Sequence, residues 1–359
     1  MPLSVLIAGG GTGGHLYPGI AVARELMARV PSAEVAFVGT AAGLEARVVP
    51  REGFSLDLIR SAGLKGKSAR QVARGLGLLP FGAADAWRAI TRRRPSVVIG
   101  VGGYSSGPVV LLAAVRGIPT LLMEQNAMPG LTTRLLASVV DAAAVTYPAS
   151  VPFFGRKAFV AGNPVRPEFF ADGEAHEPNG GRVLVFGGSQ GSHAINVAMV
   201  EAAPRLAAAA GLAVTHQTGE RDLEMVRSAY RRAGFEARVE PFLYAMDREM
   251  RTADLVICRA GATTLAELTA AGRPAILIPL PTATDDHQRT NALALVHEGA
   301  ALLLEERDLS GERLASDLRS LVGDAARRRA MGEAARRLAR PAAAGDIADR
   351  VLALARLTT

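Results

Sequence analysis

Ser4-Val5-Leu6-Ile7-Ala8-Gly9-Gly10-Gly11-Thr12-Gly13-Gly14-His15 is the stretch that decides the fold. An apolar run enters a cluster of glycines, and a helical pattern follows over residues 17–29. A strand buried on both faces reads as a continuous apolar run, and a tight strand-to-helix turn needs residues without a Cβ. The device returns in the second half. Val183-Leu184-Val185-Phe186 runs into Gly187-Gly188-Ser189-Gln190-Gly191, and residues 193–209 have helical character. Each stretch opens a Rossmann-like domain, so two such domains with a cleft between them are expected.

Outward from these stretches, short β-branched runs alternate with Ala/Leu-rich segments, the pattern of parallel sheets with helical crossovers. Strands are expected at 4–8, 34–38, 55–59, 96–101, 120–123, 142–146 and 158–161, then at 182–186, 213–217, 237–241, 255–258, 275–278 and 301–304. The polar stretch 172–181, with Pro178, separates the two sets. The expected division is a domain over 1–162 and a second over 163–340. A last helix within 341–359, carrying apolar Val351, Leu352 and Leu354, is expected to return to the first domain.

The 359 residues suit two domains of about 150 each. Hydrophobic residues at 49% support two sizeable cores, and the balance with 21% charged residues excludes a disordered chain. A single cysteine, Cys258, excludes an intramolecular disulfide framework and a Cys-rich zinc site. The formal charge of +7 suits an anionic partner: nucleic acid, acidic lipid or a phosphorylated substrate. No signal peptide is expected, because no basic start precedes an apolar run and small-residue site. The uncharged run from Pro95 to Val115 reaches transmembrane length, yet its prolines, glycines and serines read as strand, turn and helix. A soluble protein made inside the cell is the expectation.

Three glycine turns follow strands: residues 9–14, Gly102-Gly103-Tyr104-Ser105-Ser106-Gly107, and residues 187–191. Such turns aim backbone N–H groups at an anion, although glycine is needed there for steric reasons alone. Gly9-x-Gly11-x-x-Gly14 fits the dinucleotide fingerprint, but the second strand ends Phe37-Val38-Gly39-Thr40 without the ribose-binding acid. Gly187-x-Ser189-x-Gly191 fits a hydrolase nucleophile elbow, with Asp254 and His287 in the right order, but leaves the first half unexplained. Gly66-Lys67-Ser68 resembles the end of a P-loop, with Ser61 where a glycine is required. His15 follows the first turn and is either a general base or a packing residue. Thr264 and Glu267 have capping-box spacing. Alternatively, Ala262, Thr263 and Thr264 donate to a diphosphate while Glu267 accepts from ribose hydroxyls.

Taken in order, Gly10-Gly11-Thr12-Gly13-Gly14-His15-x-x-Pro18, Gly102-Gly103-Tyr104, Glu124-Gln125-Asn126, Gly162-Asn163-Pro164-Val165-Arg166, Gly187-Gly188-Ser189-Gln190-Gly191 and Arg259-x-Gly261-Ala262 through Glu267 form a series. It resembles the MurG family of bacterial UDP-N-acetylglucosamine transferases, which glycosylate lipid I to give lipid II in peptidoglycan synthesis. The resemblance covers essentially the whole chain. It implies an α/β fold of the GT-B class, with UDP-GlcNAc mainly on the C-terminal domain and the lipid acceptor on the N-terminal one. Matched motif by motif, it implies donor contacts at Thr12, Gly13, Gly14, Asn126, Arg166, Ser189, Leu243, Ala262, Thr263, Thr264, Leu265, Ala266, Glu267 and Gln288. It places Gly102, Gly103 and Tyr104 on the acceptor side and His15 at the chemistry. Arg289-Thr290 departs from the aromatics that members often carry after Gln288. An antibiotic glycosyltransferase or a UDP-GlcNAc epimerase of the same two-domain fold is the alternative.

Basic Lys65, Lys67, Arg70, Arg74, Arg88, Arg92, Arg93 and Arg94 flank apolar Leu76, Leu78, Leu79, Phe81 and Trp87. This pattern suits an anionic bilayer surface, or else a solvated face beside core residues. The resemblance, with its lipid-linked acceptor, favours the membrane: a peripheral enzyme on the cytoplasmic face of the inner membrane. It also implies cell-wall and division proteins as partners. No nucleic-acid-binding motif accompanies the charge. The expected reaction inverts the anomeric carbon as the muramyl 4-hydroxyl attacks and UDP leaves. With no Asp-x-Asp cluster, since Asp285-Asp286 are adjacent, neither a metal nor any cofactor beyond the donor substrate is implied.

Overall fold

Thirteen strands form two parallel sheets among the described residues, and each expected strand is present to within one residue at either end. The computed structural model describes residues 3–61, 69–171, 181–188, 190–207 and 211–356. The chain divides into two compact units, Met1–Val165 with Arg340–Thr359, and Arg166–Ala339.

The first unit runs β1 (Ser4–Gly9), α1 (Gly13–Arg29), β2 (Glu34–Gly39), α2 (Glu45–Arg51), β3 (Ser55–Leu58), α3 (Ala69–Arg93) and β4 (Val97–Gly102). It continues with α4 (Ser106–Val115), β5 (Thr120–Glu124), α5 (Leu131–Leu136), β6 (Ala142–Val145) and β7 (Ala158–Val160). Its strand order is β3-β2-β1-β4-β5-β6-β7. Chain direction across the sheet reverses between β1 and β4, so the turns that leave these neighbours diverge at the switch point where open α/β sheets bind ligands. One face of the sheet packs Val5, Ile7, Val97 and Ile99 against Leu16, Ile20 and Ala23 of α1. The other packs Leu6, Val98 and Leu122 against Ala86 and Ile90 of α3 and Val109 and Val110 of α4. The uncharged run is thus β4, a glycine turn and α4. No described helix is long and apolar enough to cross a membrane.

The second unit repeats the plan with β8 (Arg182–Phe186), α6 (His193–Leu206), β9 (Ala213–Gln217), α7 (Leu223–Arg232), β10 (Ala237–Glu240), α8 (Met246–Thr252) and β11 (Leu255–Cys258). It closes with α9 (Ala262–Ala271), β12 (Ala275–Leu277), α10 (His287–His297), β13 (Ala301–Leu303), α11 (Gly311–Gly323) and α12 (Ala325–Leu338). The order β10-β9-β8-β11-β12-β13 puts its switch point between β8 and β11. Val183, Val185, Leu255 and Ile257 meet Ile195 and Met199 of α6 and Leu314 and Leu318 of α11 in one core.

After α12 the chain re-enters the first unit as α13 (Ala343–Arg356), which lies along α1. Its Ile347, Ala348 and Val351 are fully buried beside α1 and the sheet. The division between units falls after Val165, three residues beyond the expected boundary, and packing explains the difference. A Cβ on Gly162, whose φ is +89°, would come within 2.5 Å of Arg340. The segment around Gly162 is therefore held by the returning chain.

Two local readings are corrected. Helix α1 starts at Gly13, four residues before the expected start, so His15 at the helix N-terminus lies in its first turn. The cap of α9 is Gly261, with no side-chain cap bond, so Thr264 and Glu267 do not form a capping box. The helix starts at Ala262, two residues before Thr264.

If α13 is integral to the first core, Ile347→Ala should cost about 2–5 kcal/mol, as large-to-small core substitutions do. Urea unfolding monitored by circular dichroism would measure this; an unchanged midpoint would show that the helix is only loosely attached.

Candidate active site

In the first unit the β1 and β4 turns touch backbone to backbone. Gly10 N–H donates to Gly102 O at 3.3 Å, and a Cβ on Gly9 would stand 2.3 Å from that same oxygen. The half-buried His15 ring lies over Gly102, where a Cβ would come within 2.7 Å of Cδ2. Thr12 Oγ1 is 3.2 Å from His15 Nδ1, and Tyr104 on the neighbouring turn is about half exposed. The structure thus brings Thr12, Gly13, Gly14, His15, Gly102, Gly103 and Tyr104 to one end of the sheet.

Asn126 joins the same edge, just beyond β5. Buried Glu124 accepts from Asn126 N at 3.0 Å, Asn126 Nδ2 at 3.1 Å and Gly130 N at 3.1 Å. Burial pushes the Glu124 carboxyl above the ordinary carboxylate range, and the Asn126 and Gly130 bonds pull it back. Its role is to shape the Asn126 loop.

Sequence reasoning missed Glu45. Its carboxylate, 1% exposed, accepts from Gly11 N at 2.7 Å, Thr40 N at 2.8 Å and Thr40 Oγ1 at 2.9 Å. It also fills the space that a side chain at Gly10, Gly39 or Gly43 would need. The signal was those glycines around an acid at the start of α2. The dinucleotide reading fails here on geometry, since a protein carboxylate already holds an N–H of the turn.

In the second unit the turn after β8 is tied by Gln217, at the end of β9. Its Nε2 donates to Gly188 O at 2.8 Å and its Oε1 accepts from Leu243 N at 2.8 Å. Ser189 lies outside the described residues. After β11, α9 begins at Ala262, and Glu267 sits half-buried one turn further in. Burial pushes the Glu267 carboxyl up to about 7; Arg166 lowers it and Asp247 raises it. Exposed Arg166 also stands over Phe169 at 5.1 Å. Gln288 Oε1 accepts from Ala260 N at 3.2 Å and Leu280 N at 3.0 Å, which joins the α9 turn to the end of β12. Arg289, where the pattern departs, pairs with Glu305 at 2.8 Å.

The hydrolase triad does not assemble. Asp254 Oδ2 accepts from Arg182 N at 3.0 Å at the start of the parallel strands, the opposite end from the residue 187–191 turn. His287 Nδ1 meets Thr284 O at 2.6 Å.

Of the basic and apolar stretch, Lys65, Lys67 and the P-loop-like residues 66–68 lie outside the described residues. Arg70, Arg74, Leu76 and Leu79 fall on α3, with their side chains outside the description. Phe81 and Trp87 are half exposed, with Arg60 over the first ring at 4.9 Å and Arg116 over the second at 4.6 Å. Arg92 and Arg93 instead turn to buried Asp57, whose carboxyl they hold below its ordinary range against the opposing effect of burial. Exposed Val115 of α4 and Leu135 of α5 add apolar surface that sequence spacing did not reveal.

Family models match both units: the glycosyltransferase family 28 N-terminal domain over residues 5–145 and its C-terminal domain over 182–350. A UDP-N-acetylglucosamine--N-acetylmuramyl-(pentapeptide) pyrophosphoryl-undecaprenol N-acetylglucosamine transferase from Anaeromyxobacter sp. (strain Fw109-5) is 51% identical, covering 99% of this chain and 94% of the relative. The crystal structure of Acinetobacter baumannii MurG superposes with a TM-score of 0.80 at 30% identity, covering 98% and 99% of the two chains. A UDP-GlcNAc 2-epimerase from Neisseria meningitidis shares the fold at 12% identity and a TM-score of 0.66, covering 98% and 100%. Fold and turns define a glycosyltransferase of the GT-B class. The chain belongs to glycosyltransferase family 28.

Behind the second-unit turn lies a buried polar chain. Tyr230 OH meets His216 Nδ1 at 2.8 Å, and His216 Nε2 donates to Asn196 Oδ1 at 3.0 Å. Asn196 Nδ2 donates to Asp222 Oδ2 at 2.8 Å, which also meets His193 Nδ1 at 3.0 Å. Burial works against the Asp222 charge, but the Asn196 and His193 bonds carry its pKa below the ordinary value. Burial pushes His216 down to about 3, so it stays neutral where an unfolded chain would protonate it. Below an unfolded value of about 6.5 the unfolded state binds the extra proton, so this residue's contribution to stability is lost as pH falls toward 3. His216→Gln, which cannot titrate, should therefore flatten the fall in unfolding free energy between about pH 6.5 and 4. Urea titrations across that range would expose an unchanged slope, which would count against this assignment.

Proposed function

We infer that the chain transfers N-acetylglucosamine from UDP-GlcNAc to the muramyl 4-hydroxyl of lipid I, undecaprenyl-pyrophosphoryl-MurNAc-pentapeptide, giving lipid II. The observation that carries this is 51% identity, over nearly all of both chains, to a relative named for that transfer. No cofactor is required beyond the donor substrate.

The second unit is proposed to hold the donor. The N–H groups and hydroxyls of Ala262, Thr263 and Thr264 at the α9 start, with Leu265 and Ala266, meet the diphosphate side. Ser189 on the glycine turn and Arg166 meet it as well. Glu267 accepts from the ribose hydroxyls, and Leu243 and Gln288 complete the donor contacts. In the first unit, Thr12, Gly13, Gly14 and Asn126 meet the transferred sugar, and Gly102, Gly103 and Tyr104 receive the acceptor.

His15 is proposed as the base. With Nδ1–H donated to Thr12 Oγ1, Nε2 presents the lone pair. The acceptor hydroxyl gives its proton to Nε2 as its oxygen bonds to the anomeric carbon. The bond from that carbon to the β-phosphate oxygen breaks, UDP takes the electron pair, and the centre inverts through an oxocarbenium-like transition state. Helix N-termini and Arg166 meet the charge that develops on the diphosphate.

Purified protein should turn over UDP-GlcNAc with a soluble lipid I analogue, in EDTA as well as without it. His15→Ala should lower kcat by about 10²–10⁴ with the thermal midpoint kept, the range for loss of a general base. Since the Glu267 carboxylate forms as pH rises through about 7, the donor KM should fall from pH 6 to pH 8. Glu267→Ala should raise that KM and abolish the trend. Absence of turnover would sink the assignment.

The surface around Phe81, Trp87 and α3 is proposed to dock on the anionic inner leaflet at the cytoplasmic face, each near-surface cation contributing about 1 kcal/mol. Charge reversal at Arg70, Arg74 and Arg88 should weaken sedimentation with phosphatidylglycerol vesicles, as should added salt. Turnover of the soluble acceptor should change little. Vesicle binding as tight as wild type would exclude this face. Cell-wall and division proteins are proposed as further partners.

A further inference from the structure

We propose that Glu45 is a positioning residue for the transfer. Its buried carboxylate fixes the residue 9–14 turn and reserves that turn for neutral sugar hydroxyls over phosphate. This deepens the reading above and rests on it. Gly9, Gly10 and Gly11 have φ of +146°, +146° and +85°, conformations open to them because glycine has no Cβ. Gly11 N–H points to Glu45 Oε2, and Thr40 N–H and hydroxyl both point to Oε1. All three contacts are donors, so they suit an acceptor-only carboxylate and not an amide. The absence of side chains at Gly10, Gly39 and Gly43 creates the space. Space and donors together fit this one group.

The consequence reaches the chemistry through the chain. The turn leads directly into Thr12 and the first turn of α1, where Thr12 Oγ1 and His15 Nδ1 meet at 3.2 Å. Moving Gly11 moves both. The negative charge beneath the turn also opposes a phosphate at the neighbouring N–H groups, although the bare sequence reads as a phosphate cradle. A sugar hydroxyl carries no such penalty.

Glu45→Gln keeps the shape but turns an NH₂ group toward either Gly11 N–H or the Thr40 donors. In steady-state assays of the full chain, its kcat should fall about 10- to 100-fold, the scale of an ångström-sized displacement of reacting groups. The KM for UDP-GlcNAc should change by a smaller factor than kcat, because the nucleotide contacts on the second unit are untouched and only the transferred sugar meets this turn. Thr40→Val loses only the hydroxyl donor and should keep kcat within about twofold. Wild-type kcat in a folded Glu45→Gln protein, or an equal loss in Thr40→Val, would overturn the proposal.

Should Glu45→Gln fail to fold, amide exchange in the wild type decides. Gly11 and Thr40 N–H should exchange slowly, and added inorganic pyrophosphate should leave the Gly11 resonance in place. Fast exchange, or a pyrophosphate-induced shift at Gly11, would refute it. If the wild type shows no transfer, the functional reading falls while these amide measurements still judge the role of Glu45.

Discussion

The constraint on which both units depend is the direct contact of backbone with backbone where neighbouring parallel strands end. In the first unit Gly10 bonds to Gly102 O, and no Cβ fits at Gly9. In the second, a Cβ on Gly191 would lie 1.9 Å from Thr218 O, and one on Gly219 would lie 2.1 Å from Gln190 O. These approaches bring together the turns after β1 and β4, at the switch point of the first unit, and the turns after β8 and β9 in the second. Glycine there is steric necessity before it is ligand binding.

Turns packed so tightly leave backbone groups that neighbouring strands cannot satisfy. A polar side chain serves each: buried Glu45 for the first turn, buried Glu124 for the Asn126 loop, buried Gln217 for the Gly188 and Leu243 loops, and half-buried Gln288 for the start of α9. Removing such a partner leaves a buried donor or acceptor unmet, about 1–3 kcal/mol each. The two carboxylates serve loops that offer only N–H and O–H donors. Gln217 serves a place that offers one donor and one acceptor. Donor count selects the residue type.

The same logic separates groups that hold the site from groups that can act in it. Glu124 is occupied by its own loop, and Glu45 by the donors of Gly11 and Thr40. Glu267 lies half-buried beside Arg166, with its carboxyl raised into the neutral range, and its protonation is open to change near the working pH. His15 rests on a glycine instead of inside a core, with one ring nitrogen directed at Thr12.

The strands, the turns and the succession of motifs were legible in the sequence because each is local: an apolar run, a glycine cluster, a return to helical spacing. The family resemblance was equally legible, because it is a matter of residue order. The exact start of α9 was not, since a Thr-to-Glu spacing looks the same whether the helix begins at Thr264 or two residues earlier. Nor was Glu45, because its partners are backbone N–H groups brought to it from two other strand ends. Arg92 and Arg93 read as membrane-facing cations until folding put Asp57 beside them. The sequence by itself determined two parallel-sheet units and the identity of the residues at their strand ends. Only tertiary structure decided which polar groups are consumed in holding the turns, because hydrogen-bond satisfaction depends on donors and acceptors that meet across strands.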